Sequence, residues 1–137
     1  MSKSHMLTMF AAVAGMTIGF SGAASAGQHL DAPVTIERQP DGSGSATGAM
    51  GDARMSDDEH SFLICQVDTS STGDFLAQCF AQDSAANQVG CFTTEPNLMT
   101  TIMTAPSDAY VRMDWDTIGR CTHVTVVWGS LFQVKLP

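Results

Sequence analysis

The sequence predicts a small α+β domain, with an antiparallel sheet in the order β-β-β-α-β-β and one covering helix. It is stapled by disulfides and preceded by a signal peptide and a flexible arm. Three observations lead there. Apolar residues alternate with period two in short runs between residues 62 and 128, the spacing of half-buried strands. One run among them, containing Leu98, Met99, Ile102 and Met103, has helical spacing instead. All four cysteines lie in the patterned part of a chain whose start reads as an export signal.

Residues 1–26 have the three parts of a secretory signal. Lys3 and His5 form a polar start, Met6 to Phe20 is almost wholly apolar or small, and Ala24-x-Ala26 fits the small-residue cleavage rule. The apolar stretch, about 15 residues, is short for a membrane span, which needs about 20. Cleavage after Ala26 is expected, with Gly27 as the new N-terminus. The signal carries one of the six basic residues and none of the fourteen acids, so the remaining 111 residues are 5 basic and 14 acidic. That balance argues against a nucleic-acid partner, because phosphate binding needs clustered Lys and Arg. A 44% hydrophobic content with only 15% charged residues argues against full disorder. No second stretch is apolar enough for an integral membrane segment after signal cleavage.

Residues 27–60 read as a flexible, acidic, Gly/Ser-rich arm. Pro40 to Gly48 has linker composition, Val34 and Ile36 allow a short edge strand over Ala32 to Arg38, and Met50 to Met55 is a weaker strand candidate. The folded domain is expected over 61–137. Phe62 to Asp68 alternates as a strand, Thr69 to Gly73 turns, and Phe75 to Gln82 alternates again. After a turn at Asp83 to Asn87, Val89 to Thr93 is a third strand. Thr94 is the expected N-cap of the helix, Pro96 lies in its first turn and Pro106 ends it. Ala109 to Trp115 and Cys121 to Trp128 form a hairpin around Asp116 to Gly119, with Gly119 suited to positive φ. Leu131 to Leu136 is a short closing strand.

Four cysteines in an exported domain of this size imply two disulfides. A hairpin centred on Thr72 sets Cys65 opposite Cys79. Cys91 precedes the helix and Cys121 opens the last hairpin strand, so their bond would close the helical crossover. The expected pairs are therefore Cys65–Cys79 and Cys91–Cys121. The competing reading is a zinc site using Cys121, His123 and further cysteines, but no closely spaced cysteine pair supports it.

The sequence assigns no catalytic residue, metal or cofactor. There is no G-x-S-x-G elbow, phosphate loop or H-E-x-x-H. The paired strand brings His123 near Met113 or Asp114; with Asp114 or Asp116 it would make a general-base pair, and the bland alternative is a satisfied strand histidine. Asp114 and Asp116, with Asp108 or Asp57 and Asp58, would suit Ca²⁺, and the bland alternative is a solvated acidic turn. His29 is expected to be solvated. Trp115 and Trp128 are expected to pack together in the core. Should one sheet face stay bare, Tyr110, Trp115 and Trp128 are the candidate binding surface.

Gly51, Ala53, Arg54 and Ser56, then Phe62-Leu63-Ile64-Cys65, Cys79-Phe80-Ala81, Cys91, Asp108-Ala109-Tyr110, Trp115-Asp116 and Gly119-x-Cys121-Thr122 follow a familiar order. In this the chain resembles small exported four-cysteine bacterial domains, a group with no assigned activity. The resemblance covers Gly48 to Leu136. It implies two disulfides, and it places Gly48 to Asp58 in the fold as an edge strand, against the linker reading. The functional expectation is a non-enzymatic exported domain, periplasmic or extracellular, that acts through its surface on a protein or envelope partner. A secreted inhibitor presenting Thr69 to Gly73, and a small hydrolase built on His123, are the alternatives.

Overall fold

The computed structural model describes residues 29–132, so the signal segment 1–26 and most of the closing strand expected at Leu131 to Leu136 lie outside the described residues. The elements are β1 (Thr35–Arg38), β2 (Gly44–Ala49), α1 (Met50–Met55), β3 (Phe62–Thr69), β4 (Phe75–Gln82), β5 (Gln88–Thr93), α2 (Pro96–Met103), β6 (Tyr110–Trp115) and β7 (Cys121–Val127). The fold class is α+β with antiparallel sheets, as the alternating runs predict. From β3 onward the order is the predicted one, within a residue or two at most boundaries.

Three corrections follow. The strands form two sheets, not one: β1-β2-β6-β7 and β3-β4-β5. There are two helices, since Met50–Met55 coils where a weak strand was expected. The domain begins well before residue 61, because β1, β2 and α1 fall within the expected arm. Gly44–Ala49 is no linker. It pairs on one side with β1 and on the other with β6, at the interior of its sheet. Its small side chains are required there. A Cβ on Gly44 would stand 2.3 Å from the Glu37 carbonyl oxygen and 2.6 Å from Cζ2 of Trp115. The indole lies over the space that glycine leaves open.

The inner faces of both sheets feed one buried cluster. The four-stranded sheet contributes Ala46, Val111, Met113, Trp115, Cys121 and Val124; the three-stranded sheet contributes Leu63, Ala77, Cys79, Ala81, Val89 and Cys91. Ile102 of α2, Ala53 of α1, and Val34 and Ala109 just before β1 and β6 complete it. Met113 is fully buried on β6, and its sulfur sits 3.9 Å from that of Cys91. The sheets also meet at one edge. The Phe92 N–H donates to the Gly119 carbonyl at 3.1 Å, and Arg38 donates to the Gln88 carbonyl at 2.5 Å.

Aspartates fix the turns. Asp41 accepts the Ser43 N–H and hydroxyl, Asp83 accepts the N–H groups of Ala85 and Asn87, and Asp116 accepts those of Ile118 and Arg120. The bonds from Ser43 hold Asp41, and those led by Asn87 hold Asp83, below the ordinary carboxylate range, since each favours the ionised form. Gly119 has φ +79°, as the β6–β7 turn requires. Pro96 opens α2, but its N-cap is Glu95 rather than Thr94, with no side-chain cap. Thr93 instead accepts the Glu95 N–H at 3.0 Å.

Candidate binding face

The four cysteines are paired as Cys65–Cys79 and Cys91–Cys121, and none is free. Zinc therefore has no thiolate ligand here. Cys65 and Cys79 are direct partners in the β3–β4 register, with Cα atoms 4.1 Å apart. That short separation marks a non-hydrogen-bonded pair, in which both side chains lie close together. Cys91–Cys121 joins β5 to β7, and so one sheet to the other. Two disulfides point to an oxidising, exported environment. Among the described residues no helix is long and apolar enough to cross a membrane.

The three aromatics expected on one surface do not gather. Trp115 is 6% exposed, and its indole N–H donates to the Gly42 carbonyl at 3.0 Å, so it is a core residue. Trp128 is 63% exposed, beyond the end of β7. The two were expected to pack together, but Trp115 pairs with Cys121. Seven residues of near-extended chain, about 24 Å, separate Trp128 from that point. Tyr110 is half-buried and stacks on Phe132, with ring centroids 5.4 Å apart. This contact belongs to a small buried patch beside Ala49, where the Leu30 N–H also meets the Leu131 carbonyl at 2.9 Å.

His123 and Asp114 are direct partners across β6 and β7, so sequence reasoning correctly brought them together. Each is nevertheless engaged elsewhere. Asp114 takes three hydrogen bonds from the Arg112 guanidinium, at 2.8, 3.1 and 3.2 Å, and this ion pair raises the Arg112 pKa further. His123 shares a hydrogen bond of 2.9 Å with Thr125. The pair lies on the polar outer face of its sheet. The acids weighed for Ca²⁺ are dispersed in the same way. Asp108 pairs with Arg54 at 2.6 Å, Asp116 closes its turn, and Asp58 caps the entry to β3. Asp58 accepts bonds from Ser56, His60 and Ser61, and the Ser56 hydroxyl is the largest cause holding it far below the ordinary carboxylate range. His29 is not solvated as expected. Its Nε2 lies 3.2 Å from Asp52, whose other oxygen accepts the Ala32 N–H at 2.6 Å. This ties the entering chain to α1.

The exposed apolar face lies on the other sheet. Because side chains alternate, the residues between the inward set of β3–β5 project outward together. The apolar ones are Phe62 and Ile64, Leu76 and Phe80, and Phe92, with Gln66 and Gln78 in the row of Phe92. Ile64 is 49% exposed and Phe92 41%. Ile64, Phe80 and Gly90 form one row across the sheet. The Phe80 ring covers Gly90, where a Cβ would stand 2.5 Å from Cδ1 of the ring. A shallow depression of about 450 Å³ opens beside it, lined by Leu76, Gln78, Phe80, Gly90 and Phe92. Sequence reasoning missed this face, although the signal was there: both the odd and the even residues of Phe62 to Ile64 are apolar, as are those of Leu76 to Phe80 apart from Gln78. A strand with one solvated face should alternate instead. No family model matches the chain, and neither the characterised proteins nor the solved structures compared with it gave a match.

Proposed function

We propose that this chain is an exported, non-enzymatic binding module, working in the periplasm or the medium, that engages a partner protein through the outer face of β3–β5. The observation that carries this reading is the exposed cluster of Ile64 and Phe92 around the half-buried Phe62, Leu76 and Phe80. Contiguous apolar side chains on an otherwise acidic surface mark interaction sites, and aromatic anchors supply much of the energy at such sites. The signal-like start and the two disulfides support the location. The site chemistry favours binding over turnover, since the carboxylates His123 would need are bonded to arginine or to backbone N–H groups.

A peptide library displayed on phage and selected on the oxidised protein tests the reading. Binders should lose affinity for the double variant Ile64→Asp, Phe92→Asp. They should keep it for Thr125→Asp, which places an acid on the outer face of the other sheet. Recovery of no saturable binder, or binders indifferent to Ile64 and Phe92, would overturn it.

A further inference from the structure

The hydrogen-bond pattern of β3 leaves one of its edges open. Cys65 and Cys79 form a non-hydrogen-bonded pair, so the backbone groups of Cys65 point away from β4. By the same alternation, those of Leu63 and Val67 also point away. The far edge of the sheet confirms the phase, because Phe92, predicted by it to point away from β4, gives its N–H to Gly119. No corresponding partner meets Leu63, Cys65 or Val67 among the described residues. This edge is not flat against solvent. A depression of about 610 Å³ opens along Ser61 to Cys65, walled by Met50, Ala53 and Arg54 of α1, the last neutralised by its ion pair with Asp108, and by Ile102. A second, of about 320 Å³, opens at Val67 between Phe75, Met99 and Met103. Acids stand at both ends of the strand: Asp57, Asp58 and Glu59 before it, Asp68 at its last residue but one and Asp74 after it.

We propose that the free edge of β3 takes up an extended peptide segment as a fourth strand of its sheet, with apolar side chains in the two depressions and basic residues at both ends. This rests on the binding-module reading and names its ligand class. An unpaired row of N–H and C=O groups is a template for another strand. Alternate side chains of that strand would enter the depressions, while the others would lie beside Phe62 and Ile64 and widen the apolar face. Charge selects the occupant. A second copy paired antiparallel through β3 would bring the acidic run at 57–59 towards Asp68 and Asp74 of its mate, whereas lysines at the ends of a peptide would meet those acids favourably.

The probe is a fluorescent synthetic peptide with six alternating valines and threonines between two lysines at each end. It should bind the oxidised protein saturably and protect the Leu63, Cys65 and Val67 amides from hydrogen exchange. Replacing its lysines by glutamates should weaken binding about tenfold or more. N-methylating every second peptide amide should abolish binding in one phase and spare it in the other, because only one phase faces β3. Val67→Pro, which removes an outward-pointing N–H and leaves the β4 ladder intact, should weaken it as well. Absence of saturable binding, equal tolerance of both methylation phases, or a dimer that protects these amides without peptide would each overturn the proposal. If phage-selected binders still depend on Phe92 after such a failure, the binding-module reading stands and only the strand-addition mode falls.

Discussion

Replacing Cys91 and Cys121 together by serine is expected to cost roughly 4 kcal/mol of folding stability, measured by urea unfolding of the double variant. The bond closes a separation of 30 residues, so its loss releases much conformational freedom in the unfolded chain. It also lies where the sheets meet. Cys91 is on β5 and Cys121 on β7, both are buried, and the Cys91 sulfur touches Met113 at the centre of the core. The Cys65–Cys79 pair closes only 14 residues, within a hairpin whose register is already set by eight residue pairs. Its double serine variant should cost less, roughly 3 kcal/mol or below. The reverse order would mean that the two sheets are held together chiefly by packing.

Trp115→Ala should destabilise the domain by about 3–5 kcal/mol, read in the same unfolding experiment. The indole is nearly fully buried, lies over Gly44 and donates to the Gly42 carbonyl. Truncation leaves a cavity between β2 and β6 and an unpaired carbonyl in the β1–β2 turn. Trp115→Phe keeps most of the volume and loses the hydrogen bond, so it should cost clearly less. Neither change touches the outer face of β3–β5. Ligands of that face should therefore bind the folded Trp115→Phe protein with unchanged affinity. A small cost for Trp115→Ala accompanied by lost binding would return Trp115 to the binding surface.

The cysteines and Trp115 also show what the sequence makes legible. The β3–β4–β5 hairpins could be read directly, because local alternation fixes each face and short turns fix each register. Cys65 opposite Cys79 follows from a turn centred on Thr72, and the observed pairing of Thr69 with Phe75 has that same centre. The pairing of β2 with β6 could not be read that way. It joins residues more than sixty apart, and nothing local to either segment names its partner. Gly44–Ala49 was hidden by its own fitness for the site. A strand squeezed between β1 and β6, with Trp115 lying over it, needs small residues, and a run of Gly, Ser, Ala and Thr reads as linker. Met50–Met55 is too short for helical periodicity to show.

The site was legible in part for a related reason. His123 and Asp114 could be paired from the hairpin register, but their engagement by Thr125 and Arg112 depends on side-chain geometry. The two tryptophans belong to one hairpin, yet Trp115 sits at its turn and Trp128 past its opposite end. Adjacent strands do not make adjacent residues. The acidic composition, read first as a bar to nucleic acid, has a structural use as well, since Asp41, Asp58, Asp83 and Asp116 hold turns by accepting backbone N–H groups.

Export into an oxidising compartment underlies both the disulfides and the proposed binding role, and the intact mass of the exported protein tests it most directly. The protein is recovered from the cells that export it, and its intact mass is taken before and after reduction and alkylation. The predicted result is a chain beginning at Gly27 with all four cysteines unreactive until reduced, followed by digest fragments linking Cys65 to Cys79 and Cys91 to Cys121. A retained residue 1–26 segment or free thiols in the native protein would contradict it, and the apolar face of β3–β5 would then have to find its partner on the reducing side of the membrane.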